Sequence, residues 1–114
     1  ACGTPHGVAC GLLLPVALRA NAAVSEADLA ILERACDPAG PEDDACAAAA
    51  FIARIERLCA VVSAAAGLPV RLGQTGLPRD RLGWLAANSG GASLRGNPRD
   101  LDPAALEAIL AAAW

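Results

Sequence analysis

Residues 51–62, Phe51-Ile52-Ala53-Arg54-Ile55-Glu56-Arg57-Leu58-Cys59-Ala60-Val61-Val62, decide the fold class. Phe51, Ile55, Leu58 and Val62 recur at the spacing of one helix face, Ile52 and Cys59 widen that stripe, and Arg54, Glu56 and Arg57 take the other side. A strand alternates every second residue, so this pattern predicts an amphipathic helix with the stripe turned inward. Glu42, Asp43 and Asp44 put negative charge on its first turn, where unpaired amides favour it. Gly67 predicts a left-handed C-cap and Pro69 prevents continuation.

The flanking segments read the same way. Val8 to Ala20 is apolar on nearly every face, which predicts a central helix covered on several sides, with Pro15 removing one internal hydrogen bond and kinking it. Ser25 is an N-cap candidate with Asp28 three residues on, followed by Leu29, Ile31 and Leu32 as buried positions of a short helix that Asp37-Pro38-Ala39-Gly40-Pro41 stops. Pro69 to Leu72 reads as a short extended piece, too isolated for a sheet. Gly76-Leu77-Pro78 leads into a fourth helix with Leu82, Trp84 and Leu85 inward, and Asn88 to Arg99 into an irregular loop. Asp102 caps the last helix, Pro103 opens it, and Leu106, Ile109, Leu110 and Trp114 form its stripe. The expectation is one all-α domain of about five helices spanning 1–114.

Composition narrows the partners. Of the 114 residues 55% are apolar, 18% charged and 3% aromatic, and the formal net charge is -3. No basic block or stacking platform suits nucleic acid. The run Val8 to Leu18 is interrupted by Pro15, ends at Arg19 and falls short of the roughly 20 residues a bilayer needs, so no membrane span is expected. The start, Ala1-Cys2-Gly3-Thr4-Pro5-His6-Gly7, offers no targeting leader. The five cysteines, Cys2, Cys10, Cys36, Cys46 and Cys59, show no CxxC and no secreted-scaffold rhythm. Most are expected to be reduced, buried fillers of a cytoplasmic protein. High apolarity in so short a chain also suggests a surface made to face another domain.

No phosphate cradle, GxSxG, HExxH or EF-hand pattern is present, so the only histidine is the place to look for chemistry. His6 follows Pro5, precedes Gly7 and stands at the mouth of the apolar helix, with Cys10 one turn later on the same face. A His/Cys pair suits zinc, but a structural site needs four ligands and a catalytic one usually three. An autonomous zinc module on His6 and Cys10 therefore stays open but under-supplied.

The stretch Pro5-His6-Gly7-Val8-Ala9-Cys10-Gly11-Leu12-Leu13-Leu14-Pro15, continuing to Asn21, closely resembles the histidine-glycine helix of iron-containing alcohol dehydrogenases. Gly96-Asn97-Pro98-Arg99-Asp100-Leu101 before a capped terminal helix resembles that family's C-terminal signature, and the breaks at Gly67-Leu68-Pro69 and Gly76-Leu77-Pro78 match between them. The resemblance implies the C-terminal metal-binding domain of a dehydroquinate synthase-like, iron-type alcohol dehydrogenase fold, without the N-terminal α/β half that binds NAD or NADP. It further implies Fe2+, or Zn2+ in some members, held by one Asp and three His, of which His6 resembles the last. The implied chemistry is hydride transfer between an alcohol and an aldehyde or ketone polarised by the ion. Cys10 stands where many members carry Asn.

The loop from Ser89 to Arg99 resembles members that reduce small anionic carbonyls, including maleylacetate and phosphonoacetaldehyde reductases. Arg99, and less so Arg95, is therefore a substrate-side candidate. The alternative for Arg99 is a loop closed against Asp100 or Asp102. The resemblance implies as partners the missing nucleotide-binding domain and, in some arrangements, a second copy in a homodimer. The isolated chain is expected to be inactive, with no catalytic or cofactor-binding residue of its own. The alternative is a stand-alone helical protein-interaction domain.

Overall fold

The computed structural model describes residues 3–114, Ser93 by its backbone alone. Cys2 lies outside the described residues. Among the described residues there are five α-helices, a single α turn and three short 3-10 turns, and no strand: α1 His6–Asn21, α2 Glu26–Cys36, α3 Asp44–Ala66, α4 Leu82–Ala87, the single turn α5 Ala92–Arg95 and α6 Pro103–Ala113. The all-α expectation holds.

The helix ends obey the local chemistry. Asp43 caps α3 by accepting from the Cys46 amide at 2.9 Å, and Asp102 caps α6 by accepting from the Ala105 amide at 2.7 Å. Gly67 closes α3 at φ 64°, a left-handed conformation that costs glycine nothing, and the Leu68 amide then donates to the Ser63 carbonyl at 2.8 Å. Ser25 precedes α2 without a side-chain cap bond, so the predicted Ser25/Asp28 arrangement does not form. Residues 69–71 are coil and bend, and Leu72 already opens a 3-10 turn, Leu72–Thr75, in place of the predicted extended piece. α5 interrupts the loop expected between Asn88 and Arg99. α1 runs continuously through Pro15.

α1 lies between two helix pairs, touching α3 on one side and α6 on the other, while α2 packs on α3 and α4 on α6. The first core is Leu29, Ala48 and Ile52, with Leu18, Ala22 and Phe51 partly buried against it. Leu72, Leu82, Ala86 and Ala113 are the buried apolar residues of the other half. α2 turns Leu29, Ala30 and Glu33 inward; Ile31 and Leu32, predicted buried, point away. Glu33 is held there by Arg54, whose Nε and Nη2 donate to its two carboxylate oxygens at 3.0 and 2.7 Å. That fork keeps its carboxyl below the usual carboxylate range, with the nearby positive charges of Arg54 and Arg57 adding to the effect. Trp84, predicted inward, is exposed because Leu82 and Ala86, one turn apart, claim the face toward α6. The cysteines correct another expectation: Cys10, Cys36 and Cys46 are exposed free thiols and Cys59 is half-buried.

The predicted stripe of α3 exists but is covered over only part of its length. Ile52 is 6% exposed, whereas Leu58 and Val62 are 57% and 53% exposed. α3 is 23 residues long and α2 only 11, or roughly 34 Å against 16 Å at the helical rise, so the stripe outruns its cover. α1 is likewise central but open, with no buried residue.

The total accessible surface is 7019 Å², against about 5,800 Å² for a monomer of this mass. The radius of gyration is 15.0 Å, against about 13 Å for a domain of this length. The molecule is a flat body of 43 × 34 × 20 Å, with Leu58, Val61, Val62, Leu68 and Val70 among its exposed apolar residues. By length and composition alone, His6–Val24, with mean hydropathy 1.6, is long and apolar enough to cross a membrane, contrary to the estimate from Val8–Leu18. None of its residues is buried; α3 and α6 contact it, and Arg19 of α1 donates to Glu56 of α3 at 2.6 Å.

Candidate metal-ligand site

His6 is the first residue of α1, set there by Pro5, whose extended backbone makes the N-cap and whose carbonyl accepts from the Ala9 amide at 3.1 Å. The imidazole is exposed. Its Nε2 lies 3.4 Å from the sulfur of Cys10, one turn further along the helix, with the ring tautomer setting which of the two donates. Gly7 and Gly11 line the neighbouring face, where an added Cβ would meet nothing within 4 Å. That bare face borders a groove of about 240 Å³ with Val8, Leu58, Cys59, Val62 and Leu68 on its walls. A second apolar cleft of about 310 Å³ opens on the other side of the first turns, bounded by Ala9, Leu13, Leu72, Leu85 and Leu110.

This arrangement offers an accessible imidazole and a thiol at the head of α1, whose first turns also border apolar clefts. Donor types and exposure fit a borderline divalent ion, but only as part of a ligand set. Among the described residues no three His, Cys, Asp or Glu side chains converge on one point.

The two predicted site residues are not brought together. Asn21, the last residue of α1, and Asn97 form a reciprocal amide pair, at 2.7 Å to the Asn97 oxygen and 3.1 Å to the Asn21 oxygen. The Asn97 amide also donates to the Arg99 carbonyl at 2.7 Å. Arg99 thus sits at the far end of α1 from His6, about 22 Å along a helix of this length. Arg95 is in the turn α5 just before that clamp. The loop is closed by Asn97, with no ion pair from Arg99 to Asp100 or Asp102 among the described residues. Both asparagines stand in the quoted motifs, yet no local spacing shows that they meet across 76 positions.

Fold and site together define an all-helical domain that presents one imidazole at the head of an apolar helix and leaves the surrounding face uncovered. The family model for the Fe-containing alcohol dehydrogenase family, C-terminal, matches residues 1–114, and the chain belongs to that family. It corresponds to the C-terminal part of a larger oxidoreductase. A search of curated proteins finds no match.

Proposed function

We propose that residues 1–114 form part of the metal-binding domain of an NAD(P)-linked alcohol dehydrogenase and contribute one of its family ligands, His6. The carrying observation is the exposed His6 imidazole at the start of α1 in a chain whose entire length matches the family's C-terminal domain. The remaining donors, and the nicotinamide pocket, belong to polypeptide outside these residues. When bound, iron(II) or zinc supplies Lewis acidity to the alcohol or carbonyl oxygen. His6 donates from a neutral ring nitrogen. α1 holds that nitrogen in place through its contacts with α3 and α6. Leu13, Leu72, Leu85 and Leu110 give the adjoining cleft apolar walls.

The open face supports the same reading. The excess of about 1,200 Å² over a monomer of this mass is more than the ~800 Å² each partner buries in a standard interface. We assign its cover to the nucleotide-binding half and adjoining helices of the same enzyme rather than to a second copy. The match along the full length favours this over a stand-alone interaction domain. The substrate class proposed is a small alcohol or aldehyde; the Arg99 backbone is held near the Asn21 end of α1. Exposed free thiols suit a reducing, cytoplasmic setting.

The test is to express the polypeptide with the coding sequence upstream of Ala1 and follow alcohol-dependent NAD(P) reduction by absorbance. Activity that falls by about 100-fold or more in His6→Ala supports the assignment. Activity unchanged by His6→Ala overturns it.

A further inference from the structure

The cleft walled by Ala9, Leu13, Leu72, Leu77, Leu85 and Leu110 opens beside His6. Thr4, just before His6 in the chain, and Ala9, just after it, both line the cleft. At 3.6 residues per turn, His6, Ala9 and Leu13 fall within about 60° on one face of α1, so the mouth lies about one helical turn from the imidazole. The opposite wall is pinned by the last residue of the chain. Trp114 Nε1 donates to the Leu77 carbonyl at 3.2 Å, its ring covers Gly73, where an added Cβ would stand 3.1 Å from it, and Arg79 lies over the ring at 5.1 Å. No charged side chain lines the cleft among the described residues. Two of its hydroxyls are turned to backbone, Thr75 donating to the Leu72 carbonyl at 2.7 Å and Ser89 to the Leu85 carbonyl at 2.6 Å. A carboxylate or phosphonate entering there would lose its water without meeting a counter-charge, whereas hydrocarbon gains by leaving water. The volume, about 310 Å³, is about twice the ~150 Å³ that holds a benzene molecule.

We propose that this cleft receives the hydrocarbon tail of the alcohol or aldehyde whose oxygen is placed at His6, and that Ala9, the small residue nearest the mouth on α1, sets how long a tail enters. The inference rests on the reading of His6 given above. It narrows the substrate class to alcohols and aldehydes with an uncharged tail of several carbons, in preference to small anionic carbonyls. The walls come from α1, the segment after α3, α4 and α6, and the Trp114 contacts hold that segment in place, so the tail enters a cleft already formed.

The experiment has two arms. In the first, 1-butanol, 1-pentanol and 1-hexanol are titrated into the 114-residue chain with labelled leucine methyls, and NMR reads which methyls the alcohol touches. The expected result is contact from the hexanol chain to Leu13, Leu85 and Leu110, with affinity rising about two- to threefold per added carbon. Ala9→Leu, shown by circular dichroism to keep its helix content, should weaken hexanol binding about tenfold by filling the mouth. In the second arm the polypeptide expressed with the coding sequence upstream of Ala1 is assayed with the same alcohols. The hexanol-to-butanol ratio of kcat/KM should fall about tenfold in Ala9→Leu.

Hexanol contacts that fall on Leu58 and Leu68 instead, or an affinity that Ala9→Leu leaves alone, overturn the cleft assignment. Activity that needs His6 but keeps the same chain-length ratio in Ala9→Leu also overturns it and leaves the His6 reading intact. Activity that is absent, or indifferent to His6→Ala, removes the His6 reading and this inference with it, even where hexanol touches the three leucines.

Discussion

Ile52→Ala and Leu58→Ala delete similar apolar mass from the same helix, and the structure assigns them different costs. Ile52 is 6% exposed and packs with Leu29 and Ala48. Losing three buried carbon groups costs about 2.4 kcal/mol in transfer free energy, at roughly 0.8 kcal/mol each. A cavity term adds to this, but a modest one, because the half-buried Leu18, Ala22 and Phe51 around the site can close in. The total is about 3 kcal/mol, within the range for such truncations. Leu58 is 57% exposed, so less than half of its transfer term is present and no enclosed void forms. Its loss costs about 1 kcal/mol. Urea denaturation followed by circular dichroism reads both, the comparison being made at a common slope against denaturant. Leu58→Ala as costly as Ile52→Ala would refute the assignment, since the C-terminal half of α3 would then be covered in solution.

Lowering the pH should remove the contribution of the Glu33–Arg54 pair. The Glu33 carboxyl sits below its ordinary 4.5, chiefly through the Arg54 hydrogen bonds, so this stabilisation is complete above that value and fades as pH falls through the lower folded-state value. The urea midpoint of the parent should drop between neutral and acid pH, and that of Glu33→Gln should drop less; parallel profiles would contradict this. Asp43 accepts from the Cys46 amide and thiol and pushes that thiol up, so Asp43→Asn, which keeps a capping side chain, should speed Cys46 alkylation at mildly alkaline pH. An unchanged rate by mass spectrometry would refute the coupling. Asn97→Ala leaves the half-buried Asn21 amide without its partner and frees the Arg99 loop. It should cost about 1–2 kcal/mol by denaturation.

Helix positions and ends were the most legible part of the fold. The α3 stripe, the Asp102 cap and the Gly67 stop are local patterns, and all of them form; of the three acids read as first-turn charge, Asp43 is the N-cap and Asp44 opens the helix. Burial was less legible because it depends on what covers a face. Leu58 and Val62 continue the stripe of Ile52, but α2 is too short to reach them, and no periodicity reports the length of a neighbour. In α2, Ile31 and Leu32 read as apolar anchors, yet Glu33 takes the inward place because Arg54, 21 residues away, meets it there.

The place of His6 at the head of α1 and of Cys10 one turn on along the same face followed from the spacing. Arg99 was read as an anion contact from a loop rich in glycine beside arginine; the Asn21–Asn97 clamp that holds its backbone near the last residue of α1 leaves no trace in local spacing.

The most direct test is to incubate the purified 114-residue chain with excess iron(II) or zinc, desalt it, and measure bound metal by atomic emission. An imidazole does not retain an ion without further donors around the same point, so the protein should emerge with far less than one ion per chain. A single tightly held ion for every chain would show a complete ligand set within these residues and contradict the assignment as a partial metal domain.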